Sequence, residues 1–282
     1  MNHQDKKQAD PVGQPSRLKG LFGWIRPGPA AVGLVLVVLL AASIVNVVNV
    51  HEDRTLPDFD AIDDISERKQ AFFEFLTPLV IAENQRVLKQ RERLLDLAVR
   101  LRAGKSVGWL DRRWLGQLAA EYDVAWDPDA PPESVLESIE LLERRVDAVP
   151  TALALVQAAT ESGWGRSRFA TEGNNLFGHW CYEPGCGLVP ERRNTGAGHE
   201  VAAFDSVAES VRRYVRNLNA HAAYAPLRAI RARMRRDSES PTAMALADGL
   251  IRYSERREDY VDEIKTIIRV NRPIIEKVRE TL

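Results

Sequence analysis

The feature that most constrains this chain is a helix with almost no polar face. Residues 151–160, T-A-L-A-L-V-Q-A-A-T, carry only Thr151, Gln157 and Thr160 as polar side chains. A helix that is apolar nearly all round must be buried, so the rest of the fold has to wrap around it. Pro150 suits its first turn and Gly163 its end. Glu161 stands in the last turn. Carbonyl dipoles at a helix C-terminus and partial burial both disfavour a negative charge, so the spacing predicts a carboxyl group with a raised pKa. Such a group is suited to donating a proton near neutral pH. A Glu at a helix end is also common without any role, and the neighbouring residues must decide.

Those neighbours form three short motifs. Glu161 continues into Ser162-Gly163-Trp164-Gly165 and Ser167. Next comes Asn174-Asn175-Leu176-Phe177-Gly178. Phe204-Asp205-Ser206 then opens another helix, with Tyr224 beyond its end. Together they resemble the β-N-acetylglucosaminidases of glycoside hydrolase family 73, most nearly the Bax-like proteins. The likeness is firm over 146–230. It implies a lysozyme-like helical lobe, a small β lobe and a cleft between them. It also implies hydrolysis of the β-1,4 bond after N-acetylglucosamine in peptidoglycan, with Glu161 as general acid. The expected fold is thus mainly α (α+β).

Glycoside hydrolysis usually needs a second group to activate water or attack the sugar. The family places a Glu in the β lobe, here residues 181–204. Glu200, just before the apolar Val201-Ala202-Ala203-Phe204, is the favoured match. Glu191 and assistance by the substrate acetamido group are the alternatives. Tyr224 is expected to bond the N-acetyl group or steady developing charge. Trp164, Phe177 and Trp180 are candidate sugar platforms, with Trp164 between two glycines equally readable as a core plug. Asn174 and Asn175 are expected to bind acetamido groups or to shape a turn. Ser206-Val207-Ala208-Glu209 is a capping box, with Asp205 at the helix entry.

Lys plus Arg is 39 and Asp plus Glu is 40, so net charge names no partner. Between Pro29 and Asn46 lie sixteen uncharged residues, close to the roughly 20 needed to cross a bilayer. Lys6, Lys7, Arg17, Lys19 and Arg26 precede the run, and Glu52 and Asp53 follow it. The positive-inside rule puts 1–28 in the cytoplasm, a membrane anchor at 29–50 and the remainder in the periplasm. A cleaved signal peptide ending near Ala41-Ala42-Ser43 is the alternative. The expected partners are therefore peptidoglycan strands and the inner membrane, and export removes nucleic acid from consideration.

In an oxidising compartment Cys181 and Cys186 read as a small disulfide loop. His179 and His221 lack a third ligand at a convincing spacing, so neither a metal nor another cofactor is expected. Residues 51–63 read as a linker. Asp64 is placed to cap a long helix that Pro78 should kink or interrupt. Leu110, Trp114 and Leu118 are expected on one buried face. Residues 64–147 read as a helical region, either a structural subdomain or a wall beside the substrate, and 148–282 as the glucosaminidase domain. Pro273 is expected to limit the last helix. The five arginines of 228–236 read as a solvated face or a surface for anionic wall polymers or lipid head groups.

Overall fold

A computed structural model describes residues 55–191 and 198–282. The expected membrane segment at 29–50 and the tail before it lie outside the described residues. Among the described residues no helix is long and apolar enough to cross a membrane. The described chain is mainly helical with one small sheet, as expected for an α+β fold.

Helix α1, Ile65–Arg102, starts on Asp64, whose carboxylate accepts the Glu67 N–H at 2.8 Å. Pro78 lies inside it and does not interrupt it. Proline withholds one N–H from the i−4 carbonyl, and the packing of the flanking residues outweighs that loss. Phe72, Phe73, Leu76, Val80, Val87 and Leu94 are all fully buried along one side. Helix α2 is Trp109–Glu121 and α3 is Pro132–Arg145. The buried face of α2 is set by Leu115, Leu118 and Ala119, while Leu110 is 59% exposed. The expected grouping of Leu110 with Leu118 is corrected by this phase. Residues three apart share a helical face, so Leu115 and Leu118 lie together and Leu110 turns outward.

Helix α4, Thr151–Ser162, contains the apolar segment 151–160. Leu153, Ala154, Leu155, Val156, Gln157 and Ala158 are fully buried within it. Short α5, Arg168–Gly173, follows a sharp turn. Strands β1 (Trp180–Cys181), β2 (Gly187–Leu188) and β3 (Glu200–Ala202) form an antiparallel sheet of order β1-β3-β2. Trp180 pairs with Val201, and Leu188 pairs with Val201 from the other edge. Helix α6, Val207–Ala220, opens on the expected capping box: Ser206 Oγ accepts the Glu209 N–H, and Glu209 accepts the Asp205 N–H. A 3-10 turn, Ala222–Tyr224, leads into α7, Ala225–Arg236. Helix α8 is Ala243–Ala247. Helix α9, Glu258–Glu280, runs through Pro273, so that proline does not limit it.

Helix α1 packs against α3, α4, α6 and α9, and α4 also packs against α8 and α9. The described residues belong to one compact unit, with no break in packing at 147/148. The long helix is one wall of the sleeve around α4 rather than part of a separate subdomain. Asn84 on α1 ties it directly to the entry of α4: its amide donates to the Val149 carbonyl at 2.8 Å and accepts the Val149 N–H at 3.0 Å.

Candidate active site

Glu161 stands at the open end of α4, one turn beyond Gln157. The helix stops because Gly163 adopts the left-handed conformation (φ 58°). Trp164 and Gly165 are left-handed too, at φ 63° and 79°. A tryptophan in that region is strained, and the surroundings hold it there. Its N–H reaches the Ala159 carbonyl at 2.8 Å, and the Gly165 N–H reaches Ser162 Oγ at 2.7 Å. Gly165 is obligatory, since a Cβ would fall 2.5 Å from the Phe59 ring. This turn brings the chain back so that Asn174–Gly178 passes beside Glu161. A Cβ on Gly178 would lie 3.8 Å from Glu161 Oε2.

The carboxyl group of Glu161 is half-buried and linked to a chain of hydrogen bonds. Tyr260 Oη donates to its Oε1 at 2.8 Å. Gln157 Nε2 donates to the same phenol at 3.0 Å. Tyr214 Oη donates to Gln157 Oε1 at 2.6 Å. The order is Tyr214, Gln157, Tyr260, Glu161, from the buried core to the half-buried carboxyl group. Tyr253 stacks on Tyr260 at 5.4 Å and donates to the Phe177 carbonyl at 3.1 Å. Tyr224 lies against Tyr253, with ring centroids 5.9 Å apart.

Burial raises the pKa of Glu161. The Tyr260 hydrogen bond opposes that shift, the charge of Glu263 adds to it, and the charge of Arg256 opposes it. Arg256 and Glu263 are paired at 2.7 Å. The net direction is upward, as the helix-end position implies. Burial, opposed by a hydrogen bond with Asn217 and helped by the charge of Glu161, pushes Tyr224 up to about 12. Burial and nearby negative charge likewise keep the phenols of Tyr214, Tyr253 and Tyr260 protonated as hydrogen-bond donors. The arrangement can hold a carboxylic acid protonated at its mouth and steady it once the proton has left.

The other expected site residues fall into different places. Tyr224 is buried near Glu161. Phe177 is 2% exposed and stacks on Tyr214 at 4.0 Å, so it supports the relay and offers no sugar platform. Trp164 is set edge-on against Phe72 and Phe73 of α1, with the Lys69 ammonium 5.1 Å from its centroid. It is the core plug, because its backbone conformation turns the ring toward α1. Asn175 is buried, donates to the His179 and Ala202 carbonyls and accepts the N–H groups of Phe177 and His179. With both ends of its amide occupied, it shapes the turn. Asn174 is the left-handed cap of α5 and donates to the Phe204 carbonyl at 2.9 Å. Trp180 is 55% exposed and stacked on His199 at 4.2 Å, the exposed ring among the three aromatics proposed from sequence.

Glu200 is 8% exposed on β3. Its Oε1 accepts the Gly185 N–H at 3.1 Å and its Oε2 the Gly187 N–H at 2.9 Å. The turn it grips is the one closed by the Cys181–Cys186 disulfide. Cys181, Cys186 and Glu200 are clustered, but bridged sulfurs are not the thiolates a metal requires.

Sequence reasoning passed over Gln157, Tyr214, Arg256 and Glu263. Gln157 carried a signal: it is the one amide in an apolar helix and lies four residues before Glu161, on the same face.

The family model described as mannosyl-glycoprotein endo-beta-N-acetylglucosaminidase matches residues 137–272. Among curated proteins, the chain is 31% identical over 230 residues to "Protein bax" of Escherichia coli (strain K12), covering 80% of this chain and 78% of that one. No solved structure matches. With Glu161 at the end of its buried helix and the Asn-Asn-Leu-Phe-Gly turn beside it, this likeness shows that the chain belongs to the Bax-like glucosaminidases.

Proposed function

We propose that the protein is a peptidoglycan hydrolase that cleaves the β-1,4 bond after N-acetylglucosamine, with Glu161 as general acid. The observation that carries this reading is the environment of Glu161: a half-buried carboxyl group whose pKa is raised, with Tyr260 on one oxygen and the other beside Gly178. A glycosidic oxygen leaves more readily when protonated, and a carboxylic acid held neutral supplies that proton. Tyr260 then donates to the carboxylate left behind, and Gln157 fixes the direction of that phenol. Tyr224 lies close enough to share in the field around Glu161 and serves the acetamido group of the substrate. Trp180 offers its ring to a sugar face.

Glu200 acts as a positioning residue in this reading. Both of its oxygens are engaged by backbone amides, which anchors the β lobe. Activation at the anomeric carbon falls to the substrate acetamido group. The uncharged run of 30–45 supports anchoring in the inner membrane with the catalytic unit in the periplasm, where the disulfide would persist.

Reducing-end analysis of digested peptidoglycan tests the linkage. New N-acetylglucosamine ends support the reading, whereas anhydromuramic ends overturn it in favour of a lytic transglycosylase. Zymography tests the acid. Clearing by the wild type that disappears in Glu161→Gln is expected. An unaltered zone removes Glu161 from the mechanism, and no clearing by wild type favours a glycan-binding module.

A further inference from the structure

A groove of about 330 Å³ lies between α1, α3, the Asp147 segment and α7. Helix α4 separates it from the glycosidase site. Asp147 precedes that helix and Glu161 is near its end, and twelve residues at about 1.5 Å each span roughly 18 Å.

The groove is strongly positive. Six arginines line it, against the carboxylates of Glu140, Glu143 and Asp147, leaving three uncompensated positive charges. Its floor is built rather than incidental. Asp147 is buried and serves three guanidinium groups: Arg235 at 2.9 Å, Arg231 at 3.7 Å and Arg91 at 3.8 Å. Arg231 is 1% exposed and also donates to the Arg144 and Arg145 carbonyls at the end of α3. Arg102 is paired with Glu143 through two hydrogen bonds. On the rim, among the described residues, the guanidinium groups of Arg144 and Arg236 have no hydrogen-bond or ion-pair partner. The floor therefore holds the walls in place and spends its own carboxylate internally, while at the mouth two planar donor forks, Arg144 and Arg236, outnumber the one carboxylate without a hydrogen bond among the described residues of the groove, Glu140. Guanidinium groups bind phosphate and carboxylate through paired N–H···O bonds, and the partner that completes this arrangement is an oxyanion.

We propose that this groove is a binding site for an oxyanion, the phosphate or carboxylate group of an anionic wall or membrane component, with Arg144 and Arg236 as its direct ligands. The site is independent of the hydrolase reading and stands whether or not Glu161 is catalytic.

Calorimetric titration of the full chain with inorganic phosphate, and separately with the free tripeptide L-alanyl-D-glutamyl-meso-diaminopimelate, tests the proposal. Saturable binding of at least one probe is expected. Phosphate alone points to a phosphate-bearing source, and the tripeptide to the peptides of the wall. The double variant Arg144→Ala/Arg236→Ala, which removes no internal contact, is expected to weaken that binding at least tenfold. Ala232→Glu puts a carboxylate into the groove with every arginine retained and is expected to do the same. Circular dichroism checks that both variants fold. No saturable binding by either probe, or a loss smaller than tenfold in both folded variants, overturns the site.

Discussion

Gln157 and Glu161, one turn apart on α4, meet at a single phenol: Tyr260 accepts from the first and donates to the second. The acid is thus steered by the interior of its own helix. Tyr260→Phe removes the hydrogen bond that favours ionised Glu161. The pKa of Glu161, already raised by burial, moves further up. A general acid works while protonated, so the alkaline limb of the kcat/KM profile shifts to higher pH. Glu263→Gln removes a negative charge that raises the same pKa, so that limb shifts to lower pH. Opposite displacements in these two variants are the expected result, and pH–rate profiles on solubilised peptidoglycan measure them.

Glu161→Gln is expected to lower activity by about 10²–10⁴. It also carries a signature in stability. The folded pKa of Glu161 lies above its ordinary value of 4.5, burial being the main cause. The neutral form therefore favours folding below that ordinary value, and the favour is lost as pH rises through the folded pKa. Above it the wild type carries the cost of a half-buried charge, which the amide does not. Thermal melts are expected to coincide near pH 4 and to separate in favour of the variant at pH 8.

The fate of Glu200 separates an anchor from a catalytic base. Glutamine offers one oxygen where two backbone N–H groups need acceptors, and its NH2 opposes the other. Glu200→Gln is expected to destabilise the β lobe by about 1–3 kcal/mol. Hydrogen exchange at Gly185 and Gly187 should quicken. Azide restores nothing to Glu200→Ala if the residue only positions the lobe, whereas recovery of turnover with azide assigns it to the chemistry.

Two tryptophans drawn from the same short stretch are expected to behave differently. Trp164→Ala removes a partly buried ring packed on Phe72 and Phe73 and should cost about 1–3 kcal/mol of stability. Trp180→Ala removes an exposed ring and should leave stability within about 0.5 kcal/mol. Its effect should appear as a raised KM. Denaturant unfolding and steady-state kinetics on the two variants check both expectations.

Asp147 makes the acid limb of stability informative. Burial alone would raise its pKa, but the Arg235 hydrogen bond and the charges of Arg231 and Arg91 bring it below the ordinary value of 3.8. Its contribution is complete above that ordinary value and disappears as pH falls through the lower folded one. Asp147→Asn is expected to cost about 3 kcal/mol at pH 7, because the buried arginines lose their shared charge. As pH falls through the lowered folded pKa the two proteins should converge, since both then lack that charge. Urea midpoints across pH 2–7 measure the difference.

The sequence revealed those parts of the site that depend on local rules. The near absence of polar residues in 151–160 identified the buried helix, Gly163 its end and Ser206 the next cap. These signals lie within one or two turns of the residues they govern. It did not reveal what depends on distant elements meeting. Tyr260 is 99 residues from Glu161, and no local pattern joins them. Trp164 between two glycines allowed either reading until α1 supplied Phe72 and Phe73. Pro273 misled because a local penalty of one hydrogen bond was weighed without the tertiary packing that outweighs it. Phe177 and Asn175 sat in a motif that suggested sugar contact, yet both were consumed in building the turn.

Helix α1 gives the protein a particular kind of indivisibility. The part of the chain that the family model matches begins at residue 137, long after α1 has ended. Yet the ring that pins the strained turn beyond Glu161 rests on Phe72 and Phe73, and the entry of α4 is tied to Asn84. The portion that the family model matches is therefore not a portable module. Transplanted without the helix before it, it would leave its central segment facing water, and the turn that aims the acid would have nothing to lean on.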